Sequence, residues 1–367
     1  MKLLLFSDLH LDTPFRWAGR KMARQRRLAL RQTLERVRDL AESENVDALV
    51  CAGDLYEHDR VSPDTGAFLR EVFGALHPRP VFLAPGNHDW YGPSSLYRQV
   101  DWPSNVHVFA QSRLSAVELT DGFTLWGAAH QAPANTDNFL DGFQAERGGV
   151  NLALFHGSEQ SELPYQESGK MPHAPFRASQ IREAGLDHAL LGHFHLPKDA
   201  ETHTYPGNPD PLEFGETGER AAVIVTVAPE GTVQRARHRV ARSEVHDVTV
   251  RLDGIRHSGQ VGDRVAEAVA TLSGMVRVTL EGEVAPDVDV RTDGLDRVAP
   301  HLDALVARLG TVRAAYDFTA LAEEATVRGQ FVRDVQAAAH LDDDTRRRVL
   351  VTGLRAFDGR TDDLEVR

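Results

Sequence analysis

Residues 2–10 read KLLLFSDLH. Leu3, Leu4, Leu5 and Phe6 make a short apolar run that gives way to Ser7, Asp8 and His10. A run of this length with polar residues at its exit reads as a buried strand that delivers a carboxylate and an imidazole. It does not read as a signal peptide, because it lacks a small-residue cleavage site and Asp8 and His10 interrupt it. The same pattern recurs downstream. VDALVCAGDLY (46–56) carries Asp54 at its end, PVFLAPGNHD (80–89) carries Asn87, His88 and Asp89, VNLALFHG (150–157) carries His156, and DHALLGHFH (187–195) carries His193 and His195.

Helical segments separate the first of these runs. ARQRRLALRQTLERVRDLAESENV (23–46) has Leu30, Leu34, Val37 and Leu40 at helical spacing, and DTGAFLREVFGAL (64–76) also reads as a helix. Strand, helix, strand, helix, strand predicts an α/β layered core. FTLWGAAHQ (123–131) is a further strand, and AAVIVTVAPEGTVQRARHRV (221–240) reads as a hairpin turning at Pro-Glu-Gly. Near residue 240 the character changes. Residues 241–318 alternate strand and helix in a compact α+β unit of ordinary domain size, and residues 319–367 hold two amphipathic helical segments split by LDDDT. The expected domains are therefore 1–240, 241–318 and 319–367.

The composition is that of a globular protein, 41% hydrophobic and 26% charged. No apolar run approaches the roughly 20 residues that cross a bilayer, so no membrane partner is expected. The single cysteine, Cys51, excludes an internal disulfide and points to a cytoplasmic location; within DALVCAGD it reads as a small buried hydrophobe. A net charge of −13 argues against a protein that coats polyanions through bulk charge. It leaves open phosphate binding through local basic patches or metal ions.

In open α/β sheets, sites lie at the carboxyl ends of strands. Five such ends here supply Asp8, His10, Asp54, Asn87, His156, His193 and His195. Seven ligands mixing carboxylate, amide oxygen and imidazole exceed what one ion of this kind takes. They suit two divalent ions bridged by one carboxylate, of manganese, iron or zinc character and not an all-oxygen calcium cage. His193 and His195, two residues apart in an extended strand end, would point the same way and each serve a different ion. Two ions about 3.5–4 Å apart activate a water and stabilise an in-line phosphoryl displacement. Asp89 reads as a structural hydrogen-bonding group.

The series SDLH, GDLY, GNHD, FHG and GHFH resembles the calcineurin-like metallophosphoesterases over roughly the first 240 residues. The resemblance implies a layered β-sandwich flanked by helices. It also implies one ion on Asp8, His10, Asp54 and His195 and a second on Asp54, Asn87, His156 and His193, with Asp54 bridging. His88 would be catalytic, facing the scissile phosphate to stabilise its charge or protonate the leaving oxygen.

THTYPGNPDPLEFGETGER (202–220) is similar to the segment that follows the active site in SbcD-type DNA repair nucleases. Tyr205, Pro206, Gly207, Phe214, Gly215 and Glu216 match, and Asn208 stands where that branch usually has serine. SDLHLDTPF and GDLYEHDRVSPDT also resemble it. That resemblance implies a metal-dependent DNA exonuclease, acting by metal-activated water with Mn2+ as the favoured ion and Zn2+ or Fe2+ as alternatives. It further implies a capping domain over 241–318, a homodimer, and a C-terminal helical segment docked on an SbcC-like SMC-type ATPase. The tail residues Phe331, Val332, Val335, Val349, Leu350, Leu354 and Phe357 would pack on their own domain or on that partner. Some relatives carry a histidine soon after the bridging aspartate; Glu57 and His58 follow here and stay outside the metal set. The basic stretch RKMARQRR (20–27) is either a phosphate-contacting face or a plain exposed helix face, and Trp90 and Tyr91 would brace the loop after GNHD or stack on a nucleotide. The alternative functions are a small-molecule or cyclic-nucleotide phosphodiesterase with the same ions, a phosphomonoesterase, or a scaffold without activity.

Overall fold

The computed structural model describes residues 1–146, 148–161 and 172–359. The chain divides into two compact units, residues 1–245 and residues 246 onward.

The first unit lays down Lys2–Phe6 (β1), Arg20–Ser43 (α1), Ala48–Cys51 (β2), Thr65–Gly74 (α2), Val81–Leu83 (β3), Leu96–Gln99 (α3) and Val106–Val108 (β4). These strands run parallel, β1 beside β2, β2 beside β3 and β3 beside β4. Parallel neighbours need a crossover, and the helices supply it. The chain then builds a second sheet from Ser115–Thr120 (β5), Phe123–Gly127 (β6), Val150–His156 (β7), Ser179–Glu183 (α4), His188–Gly192 (β8), Lys198–Asp199 (β9) and His203–Tyr205 (β10). It returns to the first sheet with Ala221–Val227 (β11) and Val233–Arg239 (β12), paired antiparallel as the expected hairpin. The sheet orders are β12-β11-β1-β2-β3-β4 and β5-β6-β7-β8-β10-β9.

Strand alternation builds the layers. Leu3 and Leu5, Ala48 and Val50, and Phe82 and Ala84 face inward, where they meet Leu125, Leu152, Leu154 and Leu190 of the second sheet. Leu4, Phe6, Leu49, Cys51, Val81 and Leu83 face outward and pack on Leu30, Leu34 and Val37 of α1 and Leu69, Val72 and Phe73 of α2. On the far side Ala153, Phe155, Ala189 and Leu191 bury against Ile181, Phe139, Leu140 and Phe176. The unit is thus two face-to-face sheets, each covered on its outer face: a mixed α/β sandwich. Cys51 is a fully buried core residue.

In the second unit Val245–Arg251 (β13), Met275–Val284 (β14) and Ala304–Ala314 (β15) form a three-stranded sheet, with β14 and β15 parallel. Gly259–Val269 (α5) packs on it through Val261, Val265 and Val269. A separate small core joins Ala314 and Tyr316 to the helices Phe318–Glu323 (α6), Val327–Ala337 (α7) and Asp343–Phe357 (α8). The LDDDT break is the start of α8, where the Asp342 carboxylate accepts the Thr345 N–H at 2.7 Å. Val332, Val335, Leu350 and Leu354 pack on one another, whereas Val349 and Phe357 stay exposed. No described helix is long and apolar enough to cross a membrane.

Candidate metal centre

The parallel ladder between β1 and β2 continues past the strands into the loops. Asp8 N–H donates to Gly53 O at 3.0 Å, His10 N–H to Asp54 O at 2.9 Å, and Leu11 N–H to Leu55 O at 3.0 Å. Leu9 and Leu11 are sent into the outer core while Asp8 and His10 are left for the site. Asp8, His10, Asp54 and His193 have φ of +56°, +50°, +53° and +116°. Left-handed backbone costs an L-residue about 1–2 kcal/mol. Such strain persists where surrounding structure over-determines it, and it clusters at functional sites.

The two sheets meet at these ends. His193 N–H donates to the Asp8 carboxylate, at 3.1 Å from Oδ1 and 3.2 Å from Oδ2. Asp8, His10 and His195 each offer a ligand atom within 4.8 Å of the others, as do Asp8, Asp54 and His156. Asp54 Oδ2 lies between the two groups, 3.6 Å from His10 Nε2 and 3.2 Å from His156 Nε2. The His156 ring is 5.2 Å from that of His193. Asn87 lines the same cavity as His193 and His195. The seven residues singled out in the sequence therefore come together. The reason given for the His193–His195 pair needs correction. The strand ends at Gly192, and the chain turns at His193, so a bend brings both rings to the cavity while Phe194 enters the outer core.

Tight glycines allow the approach. A Cβ on Gly86 would sit 2.3 Å from Asp54 Oδ1, and one on Gly192 would sit 2.1 Å from Ala52 O.

The residues fit divalent cations on two observations. Among the described residues, Nε2 of His10 and Oδ1 of Asn87 are buried without a hydrogen-bond partner, which is costly for groups of this kind, and Nε2 of His156 faces the Asp54 carboxylate at 3.2 Å. Three of the imidazoles are also held by Nδ1. His10 Nδ1–H donates to Glu57 at 2.8 Å, His195 Nδ1–H to Glu216 at 2.5 Å, and His156 Nδ1–H to Ala52 O at 2.9 Å. Since every acceptor is an oxygen, Nδ1 carries a proton and Nε2 is the atom that would face a cation.

The field of the site is negative. Burial pushes the Asp54 carboxyl up, but His156, His88 and His10 outweigh it and hold it well below the usual carboxylate range. Burial pushes the His156 imidazole down, yet Asp54 and Asp8 pull it up to about 9. A site that raises its own imidazoles in this way favours a cation.

Several residues around the ligands take supporting roles, most of which the sequence did not reveal. Glu57 takes His10 on one oxygen and His88 on the other, the latter at 3.1 Å. Glu216 is itself fixed by Asn208 Nδ2–H and Leu212 N–H, both at 2.6 Å, and Asn208 accepts from Arg220. His130 Nε2–H donates to His156 O at 2.7 Å; burial first and the neighbouring His156 second keep His130 neutral, near 3. Asp89 accepts from the N–H groups of Asp54, Leu55 and Gly86 and from Tyr97 OH, a hydrogen-bonding role only. Trp90 stacks on His58 at 4.0 Å. Arg26 departs from the candidate basic face. It is buried, bonded to Asp210 at 2.9 Å, and holds the helix to the site's supporting loop. Arg20, Lys21 and Arg24 remain exposed.

His88 stands at the rim. Its side chain is 46% exposed, and its ring meets that of His10 edge-on at 4.7 Å. Burial lowers its affinity for a proton, but Asp54 and Glu57 raise it to about 9.

Comparison with known proteins places this geometry in context. The family described as calcineurin-like phosphoesterase matches residues 1–197. The "Uncharacterized metallophosphoesterase YhaO" of Bacillus subtilis is 28% identical over 239 residues, covering 60% of this chain and 56% of that protein. The "DNA double-strand break repair protein Mre11" of Methanopyrus kandleri is 27% identical over 249 residues, covering 60% and 52%. The match spans about half the length of these curated relatives. A crystal structure of the Thermus thermophilus protein TT1561 aligns with 64% of this chain and 98% of its own, at 14% identity and a TM-score of 0.37.

Proposed function

This chain belongs to the calcineurin-like phosphoesterases, and on that premise we propose that it is a manganese-dependent DNA nuclease, the exonuclease subunit of an SbcCD-like repair complex. As a member of that family it hydrolyses phosphoester bonds at a two-metal site. The observation that carries the finer reading is the Asn208–Glu216–His195 chain of hydrogen bonds. The stretch of sequence most similar to the SbcD-type nucleases is thereby a working part of the metal centre. The likeness to a relative named as a DNA break repair protein supports the same reading.

In this reading Asp8, His10, Asp54 and His195 hold one ion, and Asp54, Asn87, His156 and His193 hold the other. Such ions supply charge neutralisation of the phosphate and an acidified water as nucleophile. Glu57, Glu216 and Ala52 O orient the imidazoles. His88, held by Glu57 at 3.1 Å, stabilises the phosphate and gives its proton to the leaving oxygen. One P–O bond breaks and water supplies the other, leaving a monoester and an alcohol. No side-chain nucleophile is required.

The reading brings partners with it: an SMC-type ATPase and a second copy of this chain. The ATPase reading is supported by a groove of about 880 Å3 on the second unit, where Val349 lies with Arg313, Arg347, Arg348 and Arg355.

The test is digestion of labelled linear DNA by the full chain with manganese, with and without an SbcC-like ATPase. DNA degradation that a chelator or Asp54→Asn abolishes is the expected result. Turnover of a cyclic nucleotide with DNA left intact contradicts the nuclease reading.

A further inference from the structure

The metal centre opens into a cavity of about 390 Å3, within the size range of ligand sites. Its charged lining is mostly acidic: Asp54, Glu57, Glu213 and Glu216. Among the described lining residues Arg16 is the only lysine or arginine. It is exposed, and no ion pair or hydrogen bond of its side chain occurs among the described residues. Other arginines nearby are committed, Arg26 to Asp210 and Arg31 to Asp64.

The chain around Arg16 is built to hold it there. Asp12 and Phe15 have φ of +69° and +45°. Asp12 accepts from Ser62 N–H at 2.9 Å and Thr65 Oγ at 2.6 Å. Phe15 is buried in the outer core with the Arg26 guanidinium over its ring. Trp17 Nε1–H donates to Leu212 O at 3.1 Å, and its ring packs on Phe214 at 4.9 Å. Both neighbours of Arg16 are thus pinned while Arg16 itself reaches solvent at the cavity wall. An uncommitted guanidinium on a preorganised turn matches a phosphate group.

A single phosphodiester is neutralised at the metal centre and needs no further cation. A nucleic acid strand brings more phosphates into an acidic surround, on a chain of net charge −13. We propose that Arg16 binds the phosphate adjoining the scissile one, so that the site selects a diester within a longer polyanion over an isolated diester. The proposal rests on the nuclease reading and names the residue that makes the site prefer a strand.

The test compares wild type, Arg16→Gln and Arg16→Lys, full chain with manganese, on a short labelled single strand and on bis(p-nitrophenyl) phosphate. Arg16→Gln raises KM for the strand about tenfold more than for the aryl diester, as loss of a charged hydrogen bond predicts. It also lowers the slope of log affinity against log salt by about 0.7, one phosphate contact. Arg16→Lys recovers part of both. Fluorescence anisotropy of the strand on the chain in chelator, where nothing is turned over, follows the same order. Equal losses on the two substrates, or an unchanged salt slope, overturn the proposal while a wild type that cuts the strand leaves the nuclease reading standing. A wild type that turns over the aryl diester and ignores the strand overturns both.

Discussion

Glu57 holds two histidines with one carboxylate, and the two have different tasks. His10 is braced as a ligand at 2.8 Å and His88 as a rim residue at 3.1 Å. His88→Ala should reduce turnover about 10²–10⁴-fold, the usual worth of a general acid, while the chain keeps its metal. Glu57→Gln should instead weaken metal affinity about 10–100-fold, as loss of an orienting carboxylate does. Steady-state rates and metal titration of both variants check the pair. Metal loss in His88→Ala would reassign that residue as a ligand. All seven proposed ligands were legible in the sequence because each stands at the end of an apolar run. The bracing roles of Glu57, Glu216 and His130 were not, because a hydrogen-bonding brace depends on which loops meet in space. Glu57 and His10 are separated by forty-seven positions in the chain, and no local pattern joins them.

At the scale of elements, parallel strands bring their carboxyl ends to common edges, and close backbone packing lets the two edges approach. Gly192 is the tightest point. A side chain there would meet Ala52 O at 2.1 Å and the Ser7 side chain at 2.8 Å. Gly192→Ala should therefore destabilise the chain by about 1–3 kcal/mol, the cost of overpacking, and loosen the contact between His193 N–H and Asp8. Thermal unfolding checks it; a midpoint equal to wild type would mean that β8 is free to shift. Leu3 to Phe6 and residues 48–51 were readable as buried strands from their apolar runs, but which residue faces which layer was not, because both faces of the sheet are covered. The His193–His195 pair was misread because strand periodicity was extended to His195, three residues past the strand end at Gly192. Arg26 was misread as surface because a basic cluster on a helix shows no sign of a distant buried carboxylate such as Asp210.

At the scale of the whole molecule, an acidic chain that acts on phosphate esters has to place positive charge locally. The first unit does so with imidazoles raised by buried carboxylates and with Arg16 at the cavity wall, and the proposed function adds the cations that its ligand set would hold. The change of character near residue 240 was legible as the start of a second alternating pattern. The small core of α6, α7 and α8 was legible only as amphipathic spacing, which fixes an apolar face without naming what covers it. Four of those tail residues cover one another, and Val349 and Phe357 are left exposed. In the proposed function the strand ends share two cations through Asp54. Counting manganese bound to the purified full chain, beside Asp54→Asn, tests it most directly. The account predicts two ions per wild-type chain and loss of both in the variant. A wild type that binds one ion or none at saturation, or a variant that keeps two, would contradict it.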